Sequence, residues 1–497
     1  MRILFATSEC VPFAKTGGLA DVCGSLPKHI ARLGHHVFVF MPNYQSVKNS
    51  GMPLTSTGIE FEIPIGTNLV PGQLLQTRIP QSSVPVYLVD QPKYFERAGL
   101  YQNPDGTDYE DNCERFVFFC RALFESIRAL DLKVDLIHCN DWQTGLIPAI
   151  LSTEYASVPR FESTSTLMTI HNLAYQGLFW HWDMLLTGMD WKHFNWKEME
   201  FYGQLNLLKT GIVFADAVST VSPNYALEIQ TGENGCGLEN TLQHRRANLS
   251  GILNGIDESW NPATDTRIKA NYDLSNWKIQ KPKCKWALQK QLAIDESNVP
   301  LIGLVGRMAE QKGWSLILEI LRHWLEAIDV QWAILGTGHQ HFEKELQNLA
   351  ARFPHKLGLH LGFDESLARQ IEAGADLFLM PSQYEPCGLN QMYSMRYGTV
   401  PVVHKVGGLA DTVCNVSERS IADGTANGFV FEGYSAENLE SALARAIQVY
   451  LREPGTWEQI VETGMSQDFS WRKSASDYAN LYERIVATRK VEKQQFA

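Results

Sequence analysis

The heptapeptide KTGGLAD at residues 15–21 returns as KVGGLAD at residues 405–411. Each copy follows a short apolar run, RILFATSE before the first and TVPVVH before the second, and each precedes a predicted helix. A strand, a glycine turn and a helix in this order are typical of open α/β sheets, in which ligands bind at the carboxyl ends of the strands. The repeat therefore predicts one ligand-facing loop in each half of the chain.

Short apolar runs alternate with helical patterns along most of the sequence. The predicted strands are RILFATS, HVFVFMP, PVYLVD, VDLIHCN, TLMTIHN, ADAVSTVS and LSGILNG in the first half, and PLIGLVGR, VQWAILG, GLHLGF, ADLFLMP, TVPVVHK and GFVFEG in the second. Continuous apolar strands between helices indicate parallel sheets covered on both faces. Because open sheets rarely exceed about ten strands, we expect an α/β fold of two doubly wound domains.

The join between these domains is predicted within LNGIDESWNP, residues 253–262, which supplies turn residues and a proline. We expect an N-terminal domain over residues 1–253 and a C-terminal domain over residues 254–469. An amphipathic helix should complete the chain over residues 470–497.

Composition and charge exclude several classes of protein. The net charge is −12, with no long run of either sign, which argues against nucleic acid as a partner. The nine cysteines show no CxxC pair and no Cys/His metal spacing, which favours reduced thiols over a disulfide framework. No apolar run reaches the roughly 18 residues of a membrane span, and the first residues lack a secretory signal pattern. We expect a cytoplasmic protein that binds neither membrane nor metal.

Two clusters of residues indicate a phosphate ligand. Gly17 and Gly18 would let the backbone approach an anion at a helix N-terminus, although a tight turn alone would explain one copy. Arg307 and Lys312, in GRMAEQKG, follow a predicted strand. Taken alone they could equally be a solvated pair at the start of a helix, but beside the glycine loops they are suited to neutralising a diphosphate.

A third cluster, PSQYEPCGLNQMYSMRYG, follows the strand ADLFLMP and contains Glu385. A carboxylate beside a phosphate site costs Coulomb energy. We therefore interpret Glu385 as a contact to sugar hydroxyls or to a developing cationic carbon, with a helix cap as the alternative.

These motifs stand in the order KTGGLADV, HNLAYQG, LNGID, GR followed by QKG, EPCGLNQ and KVGGLADTV. In this respect the chain resembles the bacterial glycogen synthase and plant starch synthase family over essentially its whole length. The resemblance implies a retaining glucosyltransferase of the GT-B architecture, with two Rossmann-like domains facing a deep cleft and a C-terminal helix that returns to the N-domain. It also implies an ADP-glucose donor, an α-1,4-glucan acceptor such as glycogen or starch, and no metal or organic cofactor.

The resemblance also implies roles for individual residues. Catalytic roles fall to Glu385, His171, Asp141, Arg307 and Lys312. Contacts to the ADP-glucose donor fall to Lys15, Gly17, Gly18, Asp21, Asn254, Arg307, Lys312, Phe363, Cys387, Gly388, Leu389 and Asn390, and positions on the acceptor side to Tyr101 and Asp141. Asn390 stands where many bacterial members have threonine, and Phe363 where some relatives have tyrosine. The residues alone leave an alternative for three of these positions. His171 could be a histidine of the core, Asp141 a helix cap, and Cys387 a packed thiol.

Four tryptophans, at positions 180, 182, 191 and 196, lie in GLFWHWDMLLTGMDWKHFNW. Aromatic faces suit glucose rings, so this segment is either an acceptor platform or a packed part of the core. If it is a platform, replacing its exposed tryptophans should raise the KM for glucan without altering donor binding.

Other functions stay open at this point. A retaining transferase that uses UDP-glucose differs only in the base pocket and the acceptor groove. A catalytically weak paralogue would keep the fold and bind glucan, and a sugar-binding protein would have little use for Arg307, Lys312 and two phosphate-type loops.

Overall fold

The computed structural model describes residues 1–496, and the side chains of residues 1–491. The chain forms two compact units: unit 1 comprises Met1–Gly255 and Trp471–Ala497, and unit 2 comprises Ile256–Ser470. The boundaries expected at 253/254 and 469/470 thus fall at 255/256 and 470/471. Ala497, the end of the predicted final helix, lies outside the described residues.

Unit 1 is built on one large sheet with helices on its faces. Its strands are β1 (Arg2–Ala6), β2 (His36–Pro42), β3 (Thr55–Ile65), β4 (Asn68–Arg78), β5 (Pro85–Asp90), β6 (Leu136–Asn140), β7 (Ser165–Ile170), β8 (Leu178–Trp180), β9 (Glu200–Phe201), β10 (Gln204–Asn206), β11 (Ala217–Thr220) and β12 (Leu249–Gly251). Its first helices are α1 (Gly18–Arg32), α2 (Gln45–Asn49), α3 (Pro92–Phe95), α4 (Asn112–Ala129), α5 (Leu146–Thr153), α6 (Met184–Thr187), α7 (Leu207–Phe214), α8 (Pro223–Glu228) and α9 (Glu239–His244).

The nine strands of this sheet run in the order β12-β11-β7-β6-β1-β2-β5-β4-β3. Every pairing from β12 to β5 is parallel, as the continuous apolar runs predict. The chain moves outward from β1 through β2 in one direction and from β6 through β7 in the other. The topological switch point, where doubly wound folds bind ligands, therefore lies at the carboxyl ends of β1 and β6.

The sheet of unit 1 also contains an antiparallel hairpin that the search for apolar runs missed. Strands β3 and β4 pair antiparallel and extend the edge beyond β5. In β3 the apolar residues alternate with polar ones, and Phe61 packs on Phe118 of α4 with 6.2 Å between ring centroids. Such alternation is typical of a strand with one exposed face rather than of a buried parallel strand. A second small sheet, β8-β10-β9, lies in the tryptophan-rich part of the chain.

Unit 2 is a smaller doubly wound domain. Its elements are α10 (Trp277–Gln291), β13 (Leu301–Val305), α11 (Trp314–Ala327), β14 (Gln331–Gly336), α12 (Gln340–Arg352), β15 (Leu357–Leu361), α13 (Glu365–Gly374), β16 (Leu377–Met380), α14 (Asn390–Arg396), β17 (Val400–His404), α15 (Gly407–Thr412), α16 (Glu418–Ala422), β18 (Phe429–Phe431), α17 (Ala436–Arg452) and α18 (Pro454–Ser466). All six strands are parallel, in the order β15-β14-β13-β16-β17-β18. This is the 3-2-1-4-5-6 order of the Rossmann fold, with its switch point between β13 and β16.

The final helix, α19 (Trp471–Phe496), belongs to unit 1, as predicted. Tyr482 on α19 places its hydroxyl 2.8 Å from Nδ1 of the buried His138 on β6, and Arg489 pairs with Asp216 at 2.7 Å. These two contacts bind α19 to the rest of unit 1. Across residues 1–496, no helix combines the length and the apolarity needed to cross a bilayer.

Candidate active site

In both units the residues singled out by the sequence follow the strands that flank the switch point. In unit 1 the KTGGLAD loop follows β1, and Asp141 comes directly after β6. In unit 2 Arg307 follows β13, and the loop that contains Glu385 follows β16. The topology therefore brings these groups to one edge of each sheet, although they are far apart in the chain.

The first heptapeptide forms the start of α1. Lys15 donates to both carboxylate oxygens of Asp21, at 2.7 and 2.8 Å, and both side chains remain partly exposed. Gly17 precedes the helix with an extended backbone. A Cβ atom added to Gly17 or to Gly18 would meet no atom within 4 Å, so packing inside the protein does not require glycine here. The open space beside this backbone is available to a ligand.

Glu9 organises this loop, and sequence reasoning missed it. Its side chain is buried, and its carboxylate accepts hydrogen bonds from the backbone N–H of Thr16 at 2.6 Å and of Gly17 at 3.2 Å. The hydroxyl groups of Thr16, at 2.5 Å, and of Tyr101, at 2.8 Å, also donate to it. Glu9 thus satisfies two N–H groups of the turn that precedes α1 and joins this turn to Tyr101, a predicted acceptor-side residue.

Asp141 and His171 are joined through the backbone. Oδ1 of Asp141 accepts a hydrogen bond from the N–H of His171 at 2.7 Å. Desolvation raises the pKa of the Asp141 carboxyl to about 7, with a smaller contribution from the negative charge of Glu9. Asp141 also has a positive φ of 56°, an uncommon conformation that often accompanies functional positions. At neutral pH this carboxyl can exist in either protonation state.

His171 is a neutral imidazole. Burial lowers its pKa to about 3, so it carries no charge at physiological pH. Its Nε2 lies 2.9 Å from Oδ1 of Asn140, whose amide nitrogen donates to the carbonyl of Ala6 at 3.1 Å. Because Oδ1 of Asn140 can only accept, Nε2 of His171 carries the proton. Nδ1 is then an acceptor for a ligand hydroxyl.

Asn254, the last predicted donor contact in unit 1, is only 7% exposed. Its Oδ1 has no hydrogen-bond partner within the described protein. Buried polar atoms are nearly always paired, and an unpaired one calls for a water or a ligand. Oδ1 of Asn254 is therefore available to accept a hydrogen bond from a water or a ligand.

In unit 2 the centre of the site is the ion pair between Lys312 and Glu385. Nζ of Lys312 lies 2.5 Å from Oε2 of Glu385, and the same oxygen accepts from the hydroxyl of Ser382 at 2.9 Å. The side chain of Glu385 is 9% exposed and that of Lys312 is 29% exposed. The carboxylate is therefore fixed in place by two donors, whereas the ammonium group can still reach a solvent-side anion.

Two further predicted donor contacts are exposed. Arg307 follows β13, and no carboxylate among the described residues pairs with its guanidinium. Phe363 is 85% exposed, in the loop after β15. An unpaired guanidinium and an unpacked ring are each available to a ligand, the first to phosphate oxygens and the second to the face of a base.

Residues 387–390 form the turn into α14. Cys387 is buried, which agrees with a packed thiol, and Gly388 has a φ of +70°, which favours glycine. Leu389 caps α14 without a side-chain hydrogen bond. The side-chain amide of Asn390 donates to the carbonyl of Val305 at 2.8 Å and so ties this turn to the end of β13. The amide nitrogen of Asn390 therefore has a structural contact within the protein.

The second heptapeptide has a different surrounding from the first. A Cβ atom on Gly407 would lie 2.0 Å from the carbonyl oxygen of Glu385, and one on Gly408 would lie 2.0 Å from that of Cys387. Gly407 has a φ of +43°, and the N–H of Gly408 donates to the carbonyl of Glu385 at 3.1 Å. Here the glycines let one backbone pack directly on another. The second copy thus supports the loop of Glu385, whereas the first leaves its glycines open.

Among residues 1–491, whose side chains the structure describes, no group of three or more histidine, cysteine, aspartate or glutamate side chains is placed to hold a metal ion. The groups assembled at the two switch points are instead cations, carboxyls, a neutral imidazole and amides. Such groups bind phosphate and sugar hydroxyls.

The arrangement of these groups agrees with the families that the sequence matches. Residues 2–244 match the model of the starch synthase catalytic domain, and residues 285–462 match that of glycosyl transferases group 1. The glycogen synthase of Rhodopirellula baltica is 47% identical over 499 residues, covering 98% of each chain. This chain belongs to the glycogen and starch synthase family. Glycogen synthase 1 of Methylococcus capsulatus is 45% identical, covering 98% of this chain and 97% of its own.

Solved structures agree with the family assignment. The catalytic domain of starch synthase IV from Arabidopsis thaliana, bound to ADP and acarbose, superimposes with a TM-score of 0.89 at 34% identity. That match covers 98% of this chain and 99% of the other. Sucrose-phosphate synthase from Thermosynechococcus elongatus, at 17% identity and a TM-score of 0.58, shares the fold. The chain is thus a glycosyltransferase of the GT-B architecture, as predicted.

Proposed function

We propose that this member of the glycogen and starch synthase family transfers glucose from ADP-glucose to the non-reducing end of an α-1,4-glucan, with retention of the anomeric configuration. The observation that carries the proposal is the buried carboxylate of Glu385, held by Lys312 at 2.5 Å at the switch point of a Rossmann sheet. A fixed carboxylate beside an anion-binding ammonium group suits a reaction that separates a phosphate from a sugar. The related starch synthase IV domain that binds ADP and acarbose supports the choice of donor and acceptor.

The leaving group is the diphosphate of the donor. When the bond between C1 of glucose and the phosphate oxygen breaks, the electron pair stays on the phosphate. Arg307 and Lys312 stabilise this growing negative charge, and because Lys312 is already positioned by Glu385, little reorganisation is needed at that moment. Preorganised electrostatics of this kind is usually the largest single catalytic contribution.

Sugar groups call for residues of a different chemistry. In unit 2, the carboxylate of Glu385 suits the positive charge that develops at C1. In unit 1, the neutral His171 offers Nδ1 as an acceptor for a sugar hydroxyl. The unpaired Oδ1 of Asn254 accepts from another hydroxyl. Also in unit 1, Lys15, Asp21 and the open backbone at Gly17 and Gly18 suit phosphate oxygens and sugar hydroxyls.

The acceptor hydroxyl attacks C1 from the face that the phosphate leaves. Its oxygen forms the new glycosidic bond, its proton passes to the leaving phosphate oxygen, and the products are ADP and a glucan longer by one unit. This route gives retention without a second carboxylate in the position of a nucleophile. Tyr101 and Asp141, tied to Glu9 and His171 respectively, provide the acceptor side in unit 1.

We place the enzyme in the cytoplasm. None of the nine cysteines forms a disulfide, and seven of them are buried. Cysteines that form no disulfide are typical of reducing compartments.

The test is incorporation of glucose into glycogen from ADP-glucose and from UDP-glucose in parallel, for the wild type and for Glu385→Gln. Glu432→Gln is a matched control, because Glu432 also pairs with a lysine of unit 2, Lys405 at 2.7 Å, but on the exposed surface. We expect transfer from ADP-glucose that Glu385→Gln lowers by about 10²–10³-fold and Glu432→Gln leaves unchanged.

The other outcomes are equally informative. Transfer from UDP-glucose alone would keep the reaction and overturn the donor. Glucan binding without transfer from either donor would favour the regulatory paralogue. An inverted linkage in the product, detected by NMR of the new anomeric proton, would exclude the same-face mechanism.

A further inference from the structure

Unit 2 contains a cavity that the proposed reaction does not use. Its volume is about 260 Å³, and its lining comes from the segment before α10, from α10 itself and from α13. Ile268, Cys284 and Leu288 form the buried part of this lining. None of the lining residues is among those assigned to the donor, the acceptor or catalysis. Because drug-sized ligands occupy pockets of about 300–1,000 Å³, this cavity suits a smaller molecule.

Two exposed cations, Arg267 and Lys269, border the cavity. Among residues 1–491 no carboxylate pairs with the ammonium group of Lys269. Nη1 of Arg267 lies 3.0 Å from Oε1 of Glu365, and these two side chains are 43% and 48% exposed. Because so exposed an ion pair contributes little to stability, an anion in the cavity can replace Glu365 beside Arg267. Glu365 would still have Arg369, whose Nη2 lies 3.0 Å from the same oxygen.

The cavity also has an acceptor oxygen without a partner. Gln370 lines the cavity, and its amide nitrogen donates to the carbonyl of Arg267 at 3.1 Å. Its Oε1 is buried and accepts no hydrogen bond within the described protein. A buried oxygen of this kind calls for a water or a ligand hydroxyl as its donor. The cavity therefore offers two cations to an anion and one acceptor to a hydroxyl.

These groups favour a phosphate ester over other small anions. A phosphate monoester carries about −1.5 to −2 charges at pH 7, whereas a carboxylate carries one, so two adjacent cations suit the phosphate better. Arginine can donate to two phosphate oxygens at once, and lysine adds a point charge. The oxygen of Gln370 favours an ester whose carbon body bears a hydroxyl, and the apolar lining can pack against that body.

We propose that this cavity binds a small hydroxylated phosphate ester and that its occupation weakens the binding of the donor. Glu365 lies in the first turn of α13, two residues after Phe363, the predicted contact to the base. A ligand that takes Arg267 from Glu365 removes one restraint on this part of the chain. The donor must then order Phe363 at a greater cost in free energy. The effect on the donor rests on the proposed function, whereas the binding of the ester does not.

The binding test is isothermal titration calorimetry of the full chain with glycerol 3-phosphate, in the presence of saturating ADP. The ADP occupies the phosphate-binding groups of the candidate active site, so further binding must occur elsewhere. Lys269→Gln should weaken the binding of glycerol 3-phosphate by about tenfold or more. Lys283→Gln is the matched control, because Lys283 is an exposed lysine of α10 that contacts only Gln280, at 2.8 Å, and does not line the cavity.

The kinetic test uses the same variants. Glycerol 3-phosphate should raise the KM of wild type and of Lys283→Gln for ADP-glucose by about fivefold or more. It should have no effect on Lys269→Gln, whose KM without the ester should equal that of wild type, since its Arg267–Glu365 pair is intact. Arg267→Gln lacks that pair and should show the raised KM without any ester. These two variants separate binding of the ester from its effect on the donor.

Two results would overturn the site: no binding of glycerol 3-phosphate to the ADP-saturated wild type, and equal binding to wild type and Lys269→Gln. Binding that depends on Lys269 but leaves the KM for ADP-glucose unchanged would keep the site and reject its effect on the donor. The same binding in a protein that transfers no glucose would keep the site and reject the proposed function.

Discussion

The ammonium group of Lys312 lies 2.5 Å from Glu385, so the cation assigned to the donor phosphate is also the partner of the candidate catalytic carboxylate. Lys312 thus takes part both in phosphate binding and in holding the carboxylate of Glu385. A phosphate that binds Lys312 contacts the same ammonium group as Glu385, and the ion pair fixes the position of the lysine before the phosphate binds.

This ion pair predicts that Glu385→Gln changes kcat and the affinity for ADP in different ways. The substitution keeps the shape of the side chain and the hydrogen bond from Ser382, but removes the negative charge next to Lys312. We therefore expect kcat to fall while the affinity for ADP is maintained or rises, because the ammonium group then has only the phosphate as a charged partner. Isothermal titration calorimetry with ADP measures the affinity of each variant. A weakened affinity for ADP would contradict this account.

The two copies of the glycine pair predict opposite responses to alanine. Gly407→Ala introduces a Cβ atom 2.0 Å from the carbonyl oxygen of Glu385 at a φ of +43°, so we expect a loss of about 2–4 kcal/mol in the free energy of unfolding. Gly17→Ala has free space and an extended backbone, so we expect little change in stability and a higher KM for the donor. Denaturant unfolding of both variants measures the two changes in the free energy of unfolding. Equal decreases for Gly407→Ala and Gly17→Ala would contradict the different packing of the two glycines.

Phe363 provides a prediction for recognition of the base. Because its ring is 85% exposed, Phe363→Ala should leave the Tm unchanged. The same change should raise the KM for ADP-glucose by about tenfold, which corresponds to the loss of one good stacking contact. Phe363→Tyr keeps the aromatic face and should retain the wild-type KM. Equal donor kinetics for Phe363→Ala and wild type would remove this residue from the donor site.

Much of the fold follows from the sequence, because buried parallel strands appear as continuous apolar runs. All thirteen predicted strands are present. The strand β3 was not predicted because its apolar residues alternate with polar ones, and β4 was not because Pro71 and Gly72 interrupt its apolar residues. The strands β8, β9 and β10 have only two or three residues each and were not predicted either. The sequence also could not predict that Gly17 borders open space whereas Gly407 packs against the backbone of Glu385. Identical local patterns predict identical turns, whereas the atoms packed against each turn come from distant parts of the chain.

Glu9 illustrates why part of the site could not be predicted. No motif marks a single glutamate after a strand, and its partner Tyr101 is 92 residues away. We expect Glu9→Gln to disturb the loop, because an amide nitrogen would face the N–H groups of Thr16 and Gly17 or the hydroxyl donors. The KM for donor and for glucan should both rise, with a smaller effect on the Tm. Kinetics that match wild type for both substrates would show that the loop keeps its position without this charge.

The raised pKa of Asp141 predicts how stability depends on pH. An aspartate usually titrates near about 3.9, whereas burial raises the pKa of Asp141 to about 7, so the folded protein binds the proton more tightly than the unfolded chain does. Between these values the folded state holds more protons, and stability therefore falls as pH rises from about 4 to 7. Asp141→Asn removes this titration and keeps an oxygen for the N–H of His171. Relative to wild type, the variant should gain Tm between pH 5 and pH 8, and a constant difference in Tm over that range would contradict the raised pKa.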